Sequence, residues 1–257
     1  MPRHAAGMHD PESRFHSSTA AIALGIISGP TFTARRQAIR STWLPRIDSS
    51  MACVFVVRCG CMSTPERLIA DWYESDLLRV QSVCLNETRV RAPILLLHAW
   101  FHHALRNFKA AQWIGKIDDD VWLHPKALVM QLTTVTRLRK EVFAYFGAFQ
   151  FGSWKNDSIV GFGYRHFQAR RIEGAVGPFA FTTGFCTILS YGLAALLMRS
   201  TVSTDEVQRV RSLTLPATRH QVVYEDVWLG ALIHMHARQL PRLLLVDLIR
   251  SGAVTDE

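Results

Sequence analysis

The sequence predicts an α/β protein with a mainly parallel central sheet flanked by helices. Three observations carry this. Short, continuous apolar runs at 20–28, 51–59 and 112–117 read as buried strands. Longer segments with helical spacing lie between them, most clearly 91–108. Strand and helix alternate along the first half of the chain, the pattern of a parallel sheet.

Taken in order, residues 1–18 read as a polar tail. The strand at 20–28 ends at Gly29-Pro30. Residues 33–43 have helical spacing, with Thr33 as a cap. Ile39 and Trp43 fall four apart on one face, which assigns Trp43 to the core. A second strand covers 51–59, and Thr64-Pro65 opens a helix. A third strand covers 77–84. The helix at 91–108 has Pro93 in its first turn and an apolar face of Leu97, Trp100, Phe101, Ala104, Leu105 and Phe108. The strand at 112–117 then runs straight into Asp118, Asp119 and Asp120. Residues 142–154 are aromatic and strand-rich. Residues 181–199 read as a glycine turn, a short strand and a helix from about Ser190. Residues 224–238 read as a helix with acids at its start, as the helix dipole favours. The whole reads as one domain over 19–250, in two halves, 19–125 and 126–250. Residues 251–257 read as a C-terminal tail.

Of the 257 residues, 49% are hydrophobic, enough for a sizeable core and incompatible with a disordered chain. The formal net charge of +8 favours anionic partners. Basic residues are scattered with no run of five, so no nucleic-acid-binding tail is present. A nucleic-acid protein would need a clustered basic stripe. The five cysteines are odd in number and form no CxxC, against a zinc ribbon. One or two disulfides stay open as a secretory feature. Asn86 and Asn156 each start an N-glycosylation pattern. No apolar run is long enough to span a bilayer, and the N-terminus lacks the form of a signal peptide. Membrane association is therefore expected only through an anchor that this chain does not show.

The aspartate triplet carries the chemistry. In a parallel sheet the ligand crevice lies outside the carboxyl ends of the strands, where Asp118–Asp120 fall. Crowded carboxylates call for a cation. Hard oxygen ligands suit Mg²⁺ or Mn²⁺, which use one or two carboxylates and complete their shell with water and phosphate oxygens. That points to a nucleotide diphosphate substrate. The competing reading is a solvated turn. His98 and His102, four apart on a helix, lack the glutamate of a zinc-protease motif and read as partly exposed surface histidines.

Four stretches, "RRQAIRSTW" (35–43), "KIDDDVWLHP" (116–125), "GPFAFTTGFCTILS" (177–190) and "EDVWLG" (225–230), follow one another in the order and spacing of a known family. The chain resembles the β-1,3-glycosyltransferases, the galactosyl- and N-acetylglucosaminyltransferases related to Fringe, over about residues 22–235. The resemblance implies a GT-A fold, with a nucleotide-binding half at 19–125 and an acceptor half at 126–250, and an inverting, Mn²⁺-dependent enzyme of the lumenal Golgi membrane. Its donor would be UDP-galactose or UDP-N-acetylglucosamine, and its acceptor a glycan on a glycoprotein or glycolipid. Carried onto this chain, Asp120 would ligate Mn²⁺. Asp118 and Asp119, with Lys116, Arg36 and Arg40, would hold the nucleotide; Arg35 shares with these arginines the choice between contacting the diphosphate and binding backbone carbonyls. Asp226 would be the general base, with Glu225 beside it. Gly177-Pro178-Phe179 stands where the family has Tyr-Pro-x-Tyr, and Phe185-Cys186 replaces part of a glycine-rich turn. The family's further histidine ligand lies farther beyond the E-D-V motif than His234 and His236 do. These departures leave a second expectation, a catalytically inactive relative that binds nucleotide sugar or glycan.

Overall fold

A computed structural model describes residues 19–29, 31–59, 77–84, 92–138, 143–155, 158–162, 173–212, 224–240, 242–248 and 254–256. The helix expected at Thr64-Pro65 and the acceptor residues Asn86 and Asn156 lie outside them.

The elements are β1 (Ile22–Ser28), α1 (Thr33–Ser41), β2 (Met51–Cys59), β3 (Leu77–Cys84), α2 (Ala92–Asn107), β4 (Trp113–Asp118), β5 (Val121–Leu123), α3 (Pro125–Leu138), β6 (Phe143–Lys155), β7 (Ser158–Phe162), β8 (Val176–Ser190), α4 (Tyr191–Arg199), α5 (Thr201–Ser212), α6 (Glu225–Met235), β9 (Leu243–Asp247) and β10 (Val254–Asp256). One sheet runs β3-β2-β1-β4-β8-β6-β7, with β9 paired to β6. Strands β1 to β4 are mutually parallel. Beyond β4 the direction reverses: β8 runs antiparallel to both β4 and β6, while β9 is parallel to β6. The sheet therefore passes without a break from the first half of the chain to the second. Within the segment read as a C-terminal tail, β10 pairs antiparallel with β5.

Helices cover both faces. Trp100, Phe101, Leu193, Val207 and Trp228 from α2, α4, α5 and α6 fill one core. Ile39, Trp43, Leu128 and Leu132 fill the other, from α1, the residues just after it and α3. Trp43 is 1% exposed, where its spacing from Ile39 placed it. Trp100 shows why α2 docks where it does. Its indole lies against Gly25 of β1, where an added Cβ would come within 2.6 Å of the ring. Its Nε1 donates to the Gly115 carbonyl of β4 at 2.7 Å. The missing side chain at Gly25 thus lets one tryptophan key α2 onto β1 and β4 at once.

Several segments differ from the sequence-based expectation. Residues 181–190 form no turn followed by a short strand; β8 is one strand of 15 residues. Thr182, Thr183, Thr187 and Ile188 favour extended backbone, and partners on both sides hold it. Helices α3 and α5 and strand β9 were not anticipated. The β-branched residues Thr133, Thr134, Val135 and Thr136 mask α3, whose apolar signal is Leu128 and Leu132 four apart.

Candidate active site

Strands β1 and β4 are adjacent and parallel, with Ile27 in register with Asp118. Their carboxyl ends therefore bring Ser28-Gly29 beside Asp118–Asp120. Helix α6 delivers Glu225 and Asp226 to the same place at its first turn. Strand β8 completes it with Gly184.

The three aspartates do not share one environment. Strand alternation puts Lys116 and Asp118 on the same face of β4. Lys116 is fully buried and donates to Asp118 Oδ1 at 2.8 Å and to Glu225 Oε1 at 2.9 Å. Asp119 turns the other way and is buried. Its Oδ2 accepts from Ser28 Oγ at 2.6 Å and its Oδ1 from Arg35 Nη1 at 2.8 Å. Asp120 is exposed, with 59% of its side chain open, and its Oδ2 accepts from Arg35 Nη1 at 3.1 Å. The repulsion within the triplet is thus relieved by two protein cations, Lys116 and Arg35. A divalent ion is not needed for that purpose, contrary to the expectation from the bare sequence.

Asp226 faces the same space as Asp118. Its Oδ1 accepts from the Val227 N–H at 2.7 Å. A Cβ built on Gly184 would lie 3.3 Å from Asp118 Oδ2, 3.7 Å from Lys116 Nζ and 3.8 Å from Asp226 Oδ2. Gly184 therefore floors a small cradle walled by two carboxylates and one ammonium. The ladder between β6 and β8 slips here: Gly147 pairs with Thr187, but Phe149 pairs with Thr182. One residue of β6 thus faces the four residues 183–186, a bulge that carries Gly184. A buried hydroxyl network closes its neck. Tyr145 Oη accepts from the Thr182 N–H at 2.9 Å, and Thr182 Oγ1 lies 2.6 Å from Thr187 Oγ1. Where the sequence predicts a glycine turn, β8 stays extended and bulges.

Burial, reinforced by the charge of Glu225, raises the Asp226 carboxyl to about 6, with Lys116 acting in the opposite direction. Burial also raises Asp118, partly offset by Lys116. For Lys116, burial alone would favour the neutral amine, but Asp118 and Glu225 outweigh it and hold the proton. Arg35 is held protonated first by its hydrogen bond to Asp119.

Arg36 is buried and stitches the end of β1 to α1. It donates to Ser28 Oγ at 3.1 Å, to the Gly29 carbonyl at 2.7 Å and to Thr33 Oγ1 at 3.2 Å. Arg40 lies with its guanidinium 4.7 Å from the centre of the Phe55 ring. His236 is buried and ties α6 to the α4–α5 junction, contacting the Leu232 carbonyl and Ser200 Oγ. His234 packs on Phe179. His98 and His102 are half-buried, with their Nε2 atoms 3.2 Å apart; burial, then His102 and Arg211, lowers His98 to about 4. Cys53 and Cys186 are buried free thiols, each pushed up to about 12 by burial. A separate cavity of about 660 Å³ opens at the start of α3, lined by Arg46, His124, Pro125, Lys126 and Ala127. None of the carboxylates at the strand ends lines it.

The sequence offers Arg35 beside Arg36 and Arg40 as a diphosphate contact without separating them, and gives no sign of Tyr145, Thr182 or Thr187. The helical period held a signal for Arg35: Arg36 and Ile39 share a face, which turns Arg36 inward and Arg35 away from it.

Among the described residues, no group of three or more His, Cys, Asp or Glu side chains is arranged to hold a metal ion. The donor set fits a different mode, in which a hard divalent cation takes one or two carboxylates and completes its shell with phosphate oxygens and water. The exposed carboxylate of Asp120 suits that mode.

Carboxylates and cations gathered outside the carboxyl ends of an α/β sheet define an enzyme that works on a charged ligand at that crevice. The galactosyltransferase family model matches residues 34–235, and the chain belongs to that family. It is a glycosyltransferase-class enzyme, transferring a sugar from a nucleotide-sugar donor, and its helix-flanked sheet has the arrangement of a GT-A-like fold. No curated protein matches the chain. Among solved structures, it is similar to mannose-1-phosphate geranyltransferase from Thermus thermophilus, at 13% identity over 88% of this chain and 74% of that one, TM-score 0.42. It is also similar to a glycosyltransferase involved in glycosylation of the major capsid of PBCV-1, at 12% identity over 88% and 82%, TM-score 0.41. A third is the glycosyltransferase GlyE of Streptococcus pneumoniae, at 11% identity over 88% and 45%, TM-score 0.41. No described helix is long and apolar enough to cross a membrane.

Proposed function

We propose that this protein is an inverting, metal-dependent glycosyltransferase. It moves galactose or N-acetylglucosamine from a UDP-sugar to a hydroxyl of an acceptor glycan in β-1,3 linkage. The acceptor would be carried by a glycoprotein or glycolipid on the lumenal side of the Golgi membrane. The observation that carries the reading is Asp226: a carboxyl raised to about 6 by burial, with its Oδ2 turned to the cradle over Gly184. A general base works best when its proton affinity lies near the operating pH.

In this reading the acceptor hydroxyl enters the cradle and gives its proton to Asp226 as its oxygen attacks the anomeric carbon. The bond to UDP breaks on the opposite face, so the configuration inverts and no covalent enzyme intermediate forms. Glu225, fixed by Lys116, positions Asp226 at the first turn of α6. Asp118, held by the same lysine, lines the donor side of the cradle. Asp119, Ser28 and Arg36 shape the end of β1 under the nucleotide, with Arg40 behind them on α1. Asp120 would hold Mn²⁺, which when bound supplies positive charge to the departing diphosphate.

Calorimetry tests the donor half of this reading. UDP is titrated with and without Mn²⁺ into the native chain and into Asp120→Asn. Binding that requires both the metal and Asp120 is the expected result; metal-independent binding refutes the assignment. NMR of the product anomer tests inversion.

A further inference from the structure

Among the described residues, Arg35 is the one cation that touches two members of the triplet, and it touches them unequally. Its Nη1 makes both bonds, at 2.8 Å to Asp119 and 3.1 Å to Asp120. Asp119 is buried and is also fixed by Ser28 Oγ, so this end of the pair is anchored. Asp120 is exposed, and Arg35 itself is 45% open. An exposed ion pair of this kind changes an equilibrium by no more than about fivefold. Beneath the guanidinium lies the Phe32 ring, 4.6 Å away and itself exposed. No hydrogen bond among the described residues uses Nε or Nη2 of Arg35. The stacked fork thus presents further donors at the mouth of the site, in the geometry that suits phosphate.

We propose that Arg35 is an exchangeable counter-ion of the donor site: it keeps Asp119 and trades Asp120 for the diphosphate of the nucleotide sugar. The inference rests on the reading of Asp120 as the metal ligand. A divalent cation and Arg35 compete for the same exposed carboxylate, and their like charges repel. A metal-bound diphosphate resolves the conflict, because the cation takes Asp120 while the phosphate oxygens take the guanidinium. Arg35 therefore opposes the metal alone and favours the nucleotide.

This gives two effects of opposite sign, which a merely structural arginine would not produce. Mn²⁺ affinity without nucleotide is read from the electron paramagnetic resonance of the free ion. UDP affinity is read by calorimetry at saturating Mn²⁺, and thermal melting checks that each variant is folded. Arg35→Ala should bind Mn²⁺ about tenfold more tightly, the order of effect of removing one neighbouring positive charge from a divalent ion in a water-like dielectric. It should bind UDP about tenfold or more weakly, the effect of losing a charged hydrogen bond. Arg35→Lys should fall between Arg35→Ala and the native chain in both. Unchanged or weaker Mn²⁺ binding in Arg35→Ala overturns the trade, as does unchanged UDP binding. Asp120→Asn separates the two levels: if it leaves Mn²⁺ affinity unaltered, the metal-ligand reading itself is wrong and the trade falls with it. If it abolishes Mn²⁺ binding while Arg35→Ala alters neither affinity, only the trade is wrong.

Discussion

Replacing Asp226 with asparagine should remove activity and make the protein more stable. The side chain is largely buried, and its Oδ1 accepts from the Val227 N–H at 2.7 Å, a bond that an amide oxygen retains. What the amide removes is a buried negative charge next to that of Glu225. The carboxyl stands at about 6 in the folded chain against its ordinary 3.8. At about 1.4 kcal/mol per tenfold change in proton affinity, the difference amounts to roughly 3 kcal/mol. The sign follows from a raised value. The folded state binds this proton more tightly than the unfolded chain, so the contribution is fully present below 3.8 and is lost as pH rises through 6. At pH 8 the native protein has lost it, whereas the asparagine variant has nothing to lose. The variant should therefore melt roughly 5–10 °C higher at pH 8, and the advantage should shrink towards pH 4. Paired thermal melts at the two pH values measure it. A variant that melts lower than native at pH 8 would refute the assignment of a strained, desolvated base. In the native enzyme, transfer should fall as pH drops through about 6, as a base that must be unprotonated requires.

Three further substitutions test the scaffold around this base. Gly184→Ala places a methyl 3.3 Å from Asp118 Oδ2. It should melt near the native temperature yet lower kcat/KM about tenfold or more, because it fills the cradle where reacting atoms must align. Gly230→Ala puts a Cβ 2.5 Å from that of Phe181 and 2.9 Å from the Ala180 carbonyl. It should cost about 1–3 kcal/mol in denaturant unfolding and, by lifting α6 from β8, reduce transfer too. Trp100→Phe removes the indole bond to the Gly115 carbonyl and part of the ring packed on Gly25, and should cost about 1–3 kcal/mol, with little effect on the UDP affinity of the folded fraction.

What could be read from the sequence was local, and what could not was relational. The runs at 20–28 and 112–117 announced β1 and β4 because both faces of those strands are buried. The triplet's place at the sheet's carboxyl edge followed at once. Its three-way divergence did not, because alternation ends at Asp118, and the turn after it sends Asp119 and Asp120 towards α1. The resemblance gave Lys116 a place at the nucleotide but not its partners. One of them lies 109 residues away at Glu225, a separation that no periodicity encodes. The same holds for Tyr145 and Thr182, which meet only because two long antiparallel strands slip in register.

The contrast between the two cations explains how one site can be both rigid and responsive. Lys116 is fully buried and divides its charge between Asp118 and Glu225. Removing either carboxylate's partner would strand a charge in the interior, which costs about 3–5 kcal/mol for a buried pair. That cost holds α6 against β4 and with it the position of Asp226. Arg35 differs in solvent exposure and in little else: it too joins two carboxylates, but one of them stands in water. Exchange there costs little, because solvent or a ligand can take over either charge. A basic protein can therefore keep an acidic cluster at one strand end. The buried cation makes the cluster permanent, and the exposed cation leaves one carboxylate available to a competing positive charge.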